Sequence, residues 1–317
     1  MSALSDQLLV FAILGYTLAM LAHAVEYTFG ARGLVNRVAT RELVGASSGG
    51  PSIDEVPAPS VDHVRIGELA GRSALGLTVL GWVLHLGTVV ARAVAAGRVP
   101  WGNMYELILS ACLVGSTAWL VAVGRRPSLR PLGLAVTLVL VLLLGVDGMV
   151  LYTPIGPLMP ALHSYWLVIH VTAAVTASGI FLLGFAAAAA TLVRTGYDEG
   201  KDRFPYPLGA RLPEADTLER VTFRVHALGF PIWTFAVICG AIWAEAAWGR
   251  YWGWDPKETW SFIAWVIYAG YLHARATPSV KRTVATWLAV LGWAAMMVNL
   301  FGVNLFISGL HSYAGVK

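Results

Sequence analysis

Charge is what this chain has little of. Asp, Glu, Lys and Arg make up 13% of its 317 residues, hydrophobic residues 57%, and the mean hydropathy is +0.67. A soluble domain carries about 25% charged residues. So few charges cannot cover one aqueous core of this size, and the bilayer must be part of the solvent. Cysteine is nearly missing too. Cys112 and Cys239, each inside an apolar run, exclude a disulfide framework, a CxxC redox pair and a Cys-rich metal site, and both read as small buried residues. A basic helix face and a basic low-complexity arm are absent as well. The formal charge of +4 comes from Lys and Arg in short connections between apolar runs, which argues against a nucleic-acid partner. The start, Met1-Ser-Ala-Leu-Ser-Asp-Gln, lacks the positive n-region of a cleavable signal peptide.

What is present is a series of apolar runs. Eight are long enough to cross a hydrocarbon core, which takes about 20 helical residues: 7–29, 73–96, 104–123, 131–151, 163–193, 222–246, 257–275 and 283–309. They lack strand alternation, and lipid leaves unpaired backbone groups unsatisfied, so the expected fold is an all-α, polytopic membrane bundle. One set of connections carries Arg32, Arg37, Arg41, Arg65, Arg72, Arg125, Arg126, Arg130, Arg194, Lys201, Arg203, Arg211, Arg220, Arg224, Arg275, Lys281 and Arg282. Arg92, Arg98, Arg250, Lys257 and Lys317 fall on the other side or in a span near it. The positive-inside rule puts the first set in the cytoplasm and both termini outside. Residues 1–72 read as a first span with a flexible cytoplasmic loop, centred on Gly45 to Pro59, and residues 73–317 as the main membrane domain. The segment 196–216 reads as a polar connector.

The most informative stretch is Trp248-Gly-Arg-Tyr-Trp-Gly-Trp-Asp-Pro-Lys-Glu-Thr-Trp260, on the outer side. Interfacial anchoring explains one or two rings per helix end. It does not explain Trp248, Tyr251, Trp252, Trp254 and Trp260 spaced by Gly249 and Gly253, which let the backbone turn closely. These rings can form a surface for a large, flat, apolar ligand. Within the run, Asp255-Pro256-Lys257-Glu258 is a helix start with Asp as N-cap, Pro at N1 and Glu at N3. Asp255 and Glu258 therefore read as setting the angle of the next helix rather than as catalytic acids.

This run resembles the WWD signature of haem-handling proteins in cytochrome c biogenesis. Its Pro-Lys-Glu-Thr-Trp continuation resembles the CcsA/ResC branch of the system II pathway, called CcsB in some bacteria. Pro100-Trp-Gly-Asn-Met-Tyr-Glu106, Ser164-Tyr-Trp-Leu-Val-Ile-His170, Tyr271-Leu-His-Ala-Arg275, Gly302-Val-Asn and Gly309-Leu-His-Ser-Tyr-Ala314 agree. The resemblance covers nearly all of residues 73–317. It implies haem b as cargo, with His170 and His311 as axial iron ligands holding it against a surface that includes Trp248, Trp252, Trp254, Asp255 and Trp260.

The resemblance also implies that His273 ligates a second haem within the membrane, opposite an imidazole from a ResB-like partner subunit, with Arg275 near a propionate. His85, mid-membrane in the second span, either lines a haem route or bonds a neighbouring helix. His163, seven residues before His170, is expected on roughly the same helix face. His23, His63 and His226 read as structural. Arg92, Glu106 and Glu245, near outer span ends, read as interfacially solvated, with a propionate contact the alternative for Arg92.

The activity implied is c-type cytochrome assembly. Haem is taken from the cytoplasmic side, passed through the bundle and presented at the outer Trp surface to the CxxCH thiols of apocytochrome c. Holocytochrome c synthase chemistry would be shared with the ResB-like subunit. Two rivals remain at this level. A b-type electron carrier needs paired histidines about a dozen residues apart on one helix, and no helix has them. A small-molecule transporter predicts broken helices in symmetric halves, and no internal symmetry is visible.

Overall fold

In a computed structural model, residues 1–29 and 61–311 are described, with side chains from residue 65 onward in the second segment. The expected loop over 45–59, Arg32, Arg37, Arg41, the side chain of His63, residues 312–314 of the last motif and Lys317 lie outside the described residues. Every regular element among the described residues is helical. The long helices are α1 (Ser2–Phe29), α2 (Val61–Ala96), α3 (Met104–Arg125), α4 (Gly133–Val150), α5 (Tyr165–Asp198), α6 (Ala215–Trp248), α7 (Pro256–Ala276) and α8 (Arg282–Met297). A π-helical turn, Val298–Gly302, leads from α8 into the short α9 (Val303–Phe306).

Among the described residues, seven helical segments are long and apolar enough to cross a membrane. The eighth expected span, 257–275, is not among them: it falls in α7, whose 21 residues include Lys257, Glu258, His273 and Arg275 and are correspondingly less apolar. It nevertheless runs the height of the bundle antiparallel to α6. Trp233 Nε1 donates to Ser261 O, Trp265 Nε1 donates to Thr234 Oγ1 at 2.9 Å, and Arg275 at its far end pairs with Glu219 near the start of α6. The protein is thus an all-α polytopic membrane bundle. Its outer surface agrees, since Val10, Phe11, Leu14, Leu18 and Leu21 on α1 and Val79, Leu80 and Val83 on α2 are all exposed.

Packing joins α1 to α2 and α4, α5 to α6, α7 to α8, and the two groups through α3 against α5. The α3–α5 approach depends on glycine: a Cβ at Gly179 would lie 2.7 Å from Ala111 O and Gly115 N. Small residues at such crossings let backbones approach where lipid gives no hydrophobic drive for association. The expected division at residue 72 falls inside α2, and α1 is knit to the bundle through Ser5 Oγ to Thr88 O and Tyr16 to His85.

Several sequence expectations shift. The second helix begins twelve residues before the expected span, because a helix continues beyond the hydrocarbon where Arg65, Glu68 and Arg72 are exposed. The segment 196–216 is more than a connector. It contains a 3₁₀ turn, Tyr206–Arg211, in which Arg211 is buried against the ring of Tyr27, and Tyr27 Oη donates to Leu208 O.

Arg92 and Glu106 are not interfacially solvated. Both side chains are fully buried and paired at 3.0 Å, and Glu106 also accepts from Arg98 and from Gly102 N. A carboxylate tying the Trp101–Asn103 loop to two arginines satisfies charges that the bundle interior could not otherwise hold. Glu245 is exposed, as expected of an interfacial residue.

Candidate functional site: an aromatic cavity at one end of the bundle

One end of the bundle collects the start of α3, the start of α5, the end of α6, the start of α7 and the segment after α9. Between them lies a cavity of about 200 Å³. It extends along α6 from Trp248 to Trp233, a depth of ~22 Å at 1.5 Å per residue. Helix α6 stops at this end because Gly249, at φ +72°, adopts the left-handed C-cap conformation. The chain then turns through the Trp segment into α7.

Asp255 caps α7 as its sequence predicts, and the reciprocal box with Glu258 forms. Glu258 Oε2 accepts from Asp255 N at 3.0 Å and also from Gly253 N at 2.8 Å. The same Asp255 carboxylate does more than cap. Its Oδ1 accepts from His311 Nδ1 at 2.9 Å and its Oδ2 from Leu310 N at 2.7 Å, so it docks the segment following α9. Burial works against ionisation of Asp255, but the bonds from His311, Leu310 N–H and Lys257 N–H hold its carboxyl down at about 2. Burial lowers the pKa of His311 from the ordinary 6.5, with the Asp255 carboxylate opposing.

His170, in the second turn of α5, lines the same cavity as His311. Its Nδ1 donates to Ala236 O at 2.8 Å, because a carbonyl oxygen can only accept. Both imidazoles are thereby set in the tautomer that leaves the lone pair on Nε2. Histidines that ligate metals generally show this orientation by carbonyl or carboxylate. Both also contact one indole: His170 stacks on Trp243 with centroids 6.0 Å apart and planes 10° apart, while His311 meets its edge at 5.7 Å. Trp248 adds an edge contact to His311 at 5.0 Å. Gly240 makes room for His170, since a Cβ there would lie 2.8 Å from the imidazole.

The Trp segment divides. Trp248, Tyr251 and Trp252 line the cavity. Trp254, at φ +57° and 66% exposed, turns outward against Trp252 and Phe262. Trp260 packs against the bundle core. The surface is therefore not one shelf of four indoles from the segment. Trp101 from the loop before α3, Trp233 and Trp243 from α6 and Trp293 from α8 complete it. The signal for part of this was present: Trp233, Ala236, Val237, Gly240 and Trp243 recur at helical spacing along one face of α6.

The remaining histidines lie elsewhere. His273 is exposed at the far end of α7, near Arg275, whose guanidinium pairs with Glu219 rather than standing ready for a ligand. His85, on α2, is buried against α1, with Nδ1 3.4 Å from Tyr16 Oη, and does not line the cavity. His163 precedes the N-cap Ser164 of α5 and is exposed, so it shares no helix face with His170. His23 is buried against Trp119. His226 packs in a layer with Phe181, Tyr268 and Tyr271, which fills the bundle interior on the basic side of the cavity.

Fold and site together define a class: polytopic helical membrane proteins with a histidine-flanked, tryptophan-lined cavity at one end. The chain belongs to the cytochrome C assembly protein family, whose description matches residues 101–311. It is similar to the cytochrome c biogenesis protein CcsA of Gloeothece citriformis, at 32% identity over 303 residues, covering 80% of this chain and 89% of that protein. A protein of the same name from Thermosynechococcus vestitus is 34% identical over 281 residues, covering 77% and 86%. Among solved structures, the fold is similar to that of the cytochrome c haem lyase CcmF, with a TM-score of 0.53 at 16% identity. That likeness covers 93% of this chain but only 46% of the longer CcmF chain. The function of the family, cytochrome c assembly, is the function of this protein.

Proposed function

We propose that the aromatic cavity holds haem b as cargo, with its iron between His170 and His311, and presents it for attachment to apocytochrome c. The observation that carries this is the pair of imidazoles, from helices remote in sequence, that line one indole-walled cavity with Nδ1 of each already bonded to an oxygen. Two neutral, oriented imidazoles suit an iron that must be held and later released. The tryptophans provide apolar faces for a porphyrin and keep water from it.

In this reading the site lies on the outer face of the plasma membrane. The opposite end of the bundle carries Arg130, Arg194, Arg211, Arg275 and Arg282 in ion pairs or buried contacts, matching a cytoplasmic side. The chain contributes position and exclusion of water while each CxxCH thiol adds S–H across a haem vinyl. His273, exposed at the cytoplasmic end, is proposed as one ligand of a second haem shared with a ResB-like subunit. Transfer between the sites must part the His226–Phe181–Tyr268 layer or follow the outside of the bundle.

The test is the visible spectrum of the purified chain. Bis-histidine haem bands are expected, lost in His170→Ala and His311→Ala together with holocytochrome c maturation. A chain active in maturation yet free of tetrapyrrole ends the proposal.

A further inference from the structure

Haem b carries two carboxylates on one edge, and a cavity that takes it must answer that charge. Among the described residues, four cations stand near the aromatic end. Arg92 and Arg98 are both committed to Glu106, and neither lines the cavity. Arg250 is exposed, donates to Gly253 O and also lies outside the lining. Lys257 is different. It projects from the first turn of α7 into the cavity that His170 and His311 share, and its Nζ lies 3.8 Å from a thioether sulfur, that of Met104. Among the described residues no carboxylate lies within 4.0 Å of this ammonium. The Asp255 carboxylate acts on it only from beyond ion-pair distance, so this ammonium, bonded to a sulfur, lacks the paired counter-charge that partly buried cations ordinarily find.

Resting on the haem reading above, we propose that Lys257 binds a propionate of the tetrapyrrole and so fixes which edge of the ring enters the cavity. The ion pair would satisfy the ammonium and neutralise a carboxylate that the indoles cannot. It would also hold the vinyl-bearing side of an asymmetric porphyrin in one orientation, which attachment to two spaced thiols requires. Lys257 is then a positioning residue, separate from the two iron ligands.

The experiment uses the full chain in detergent, titrated with haem b and with haem b dimethyl ester, whose propionates carry no charge. Binding and release are followed in the visible spectrum. Lys257→Met is expected to bind haem b about 10- to 100-fold more weakly, the range for losing a charge-assisted hydrogen bond. Its affinity for the dimethyl ester should match that of the unaltered chain, and Lys257→Arg should recover haem b binding. Equal loss for both porphyrins would mean that Lys257 only supports the cavity wall, and no loss for either would mean that no propionate meets it. Each result overturns this inference while leaving the iron site intact. An unaltered chain that binds neither porphyrin would instead remove the haem reading itself.

Discussion

Asp255 and His311 are 56 residues apart in sequence, and their side chains meet at 2.9 Å. One carboxylate thus starts α7 and aims an imidazole into the cavity. Gly309 permits this docking, since a Cβ there would lie 2.6 Å from Asp255 Oδ2. The aspartate at the end of the Trp motif is therefore both a helix cap and the orienting partner of a candidate iron ligand.

Asp255→Asn separates these two tasks. Asparagine keeps the α7 cap but cannot accept from Leu310 N–H and carries no charge, so Asp255→Asn should lose some thermal stability, and Asp255→Ala, which loses the cap as well, about 1 kcal/mol more. Haem affinity should fall about 10- to 100-fold in Asp255→Asn, as when an outer-shell partner of a metal-ligating histidine is removed. Thermal unfolding and haem titration on the same sample check both. Unchanged haem binding would show that His311 needs no orientation by Asp255.

Gly240→Ala should act in the opposite sense on fold and site. Alanine is favoured over glycine in a helix by about 1 kcal/mol. Its Cβ, however, would press on His170 at 2.8 Å and displace it from Ala236 O. The variant should melt no lower than the original and lose its bis-histidine spectrum. A normal spectrum would show that His170 can shift and still ligate.

The Arg92–Glu106 pair should matter for stability. Glu106→Leu leaves Arg92 buried without its carboxylate, at a cost of about 3–5 kcal/mol. Adding Arg92→Leu removes the orphaned charge and should restore part of the loss. Thermal unfolding of the single and double variants decides, and a single-variant loss below ~1 kcal/mol would contradict the buried geometry.

Acid should affect the site in a definite direction. Because burial lowers the His311 pKa below 6.5, the unfolded chain binds the proton more readily there. The contribution of His311 to stability is therefore lost as pH falls below 6.5. Asp255, held at about 2, contributes above its ordinary 3.8 and loses that contribution as pH falls through about 2. Removing the Asp255 charge takes away what raises the His311 pKa, so Asp255→Asn should lower it further. An NMR titration of the His311 ring checks this, and a pKa above 6.5 would contradict it.

The chain's order of residues was enough to establish a helical membrane bundle, because apolar runs of this length have no other stable form in lipid. It was also enough to mark the α7 start, since a capping box is local chemistry, and to single out His170, His311, Trp248 and Trp252. Only the folded chain decided that Trp254 and Trp260 turn away and that Trp243 contacts both imidazoles. The same holds for Arg92 and Arg275, already paired with glutamates, and for Lys257, which faces the cavity without one. These outcomes depend on which helix faces meet and at what depth. Such contacts join residues dozens of positions apart, and neither periodicity nor motif spacing encodes them.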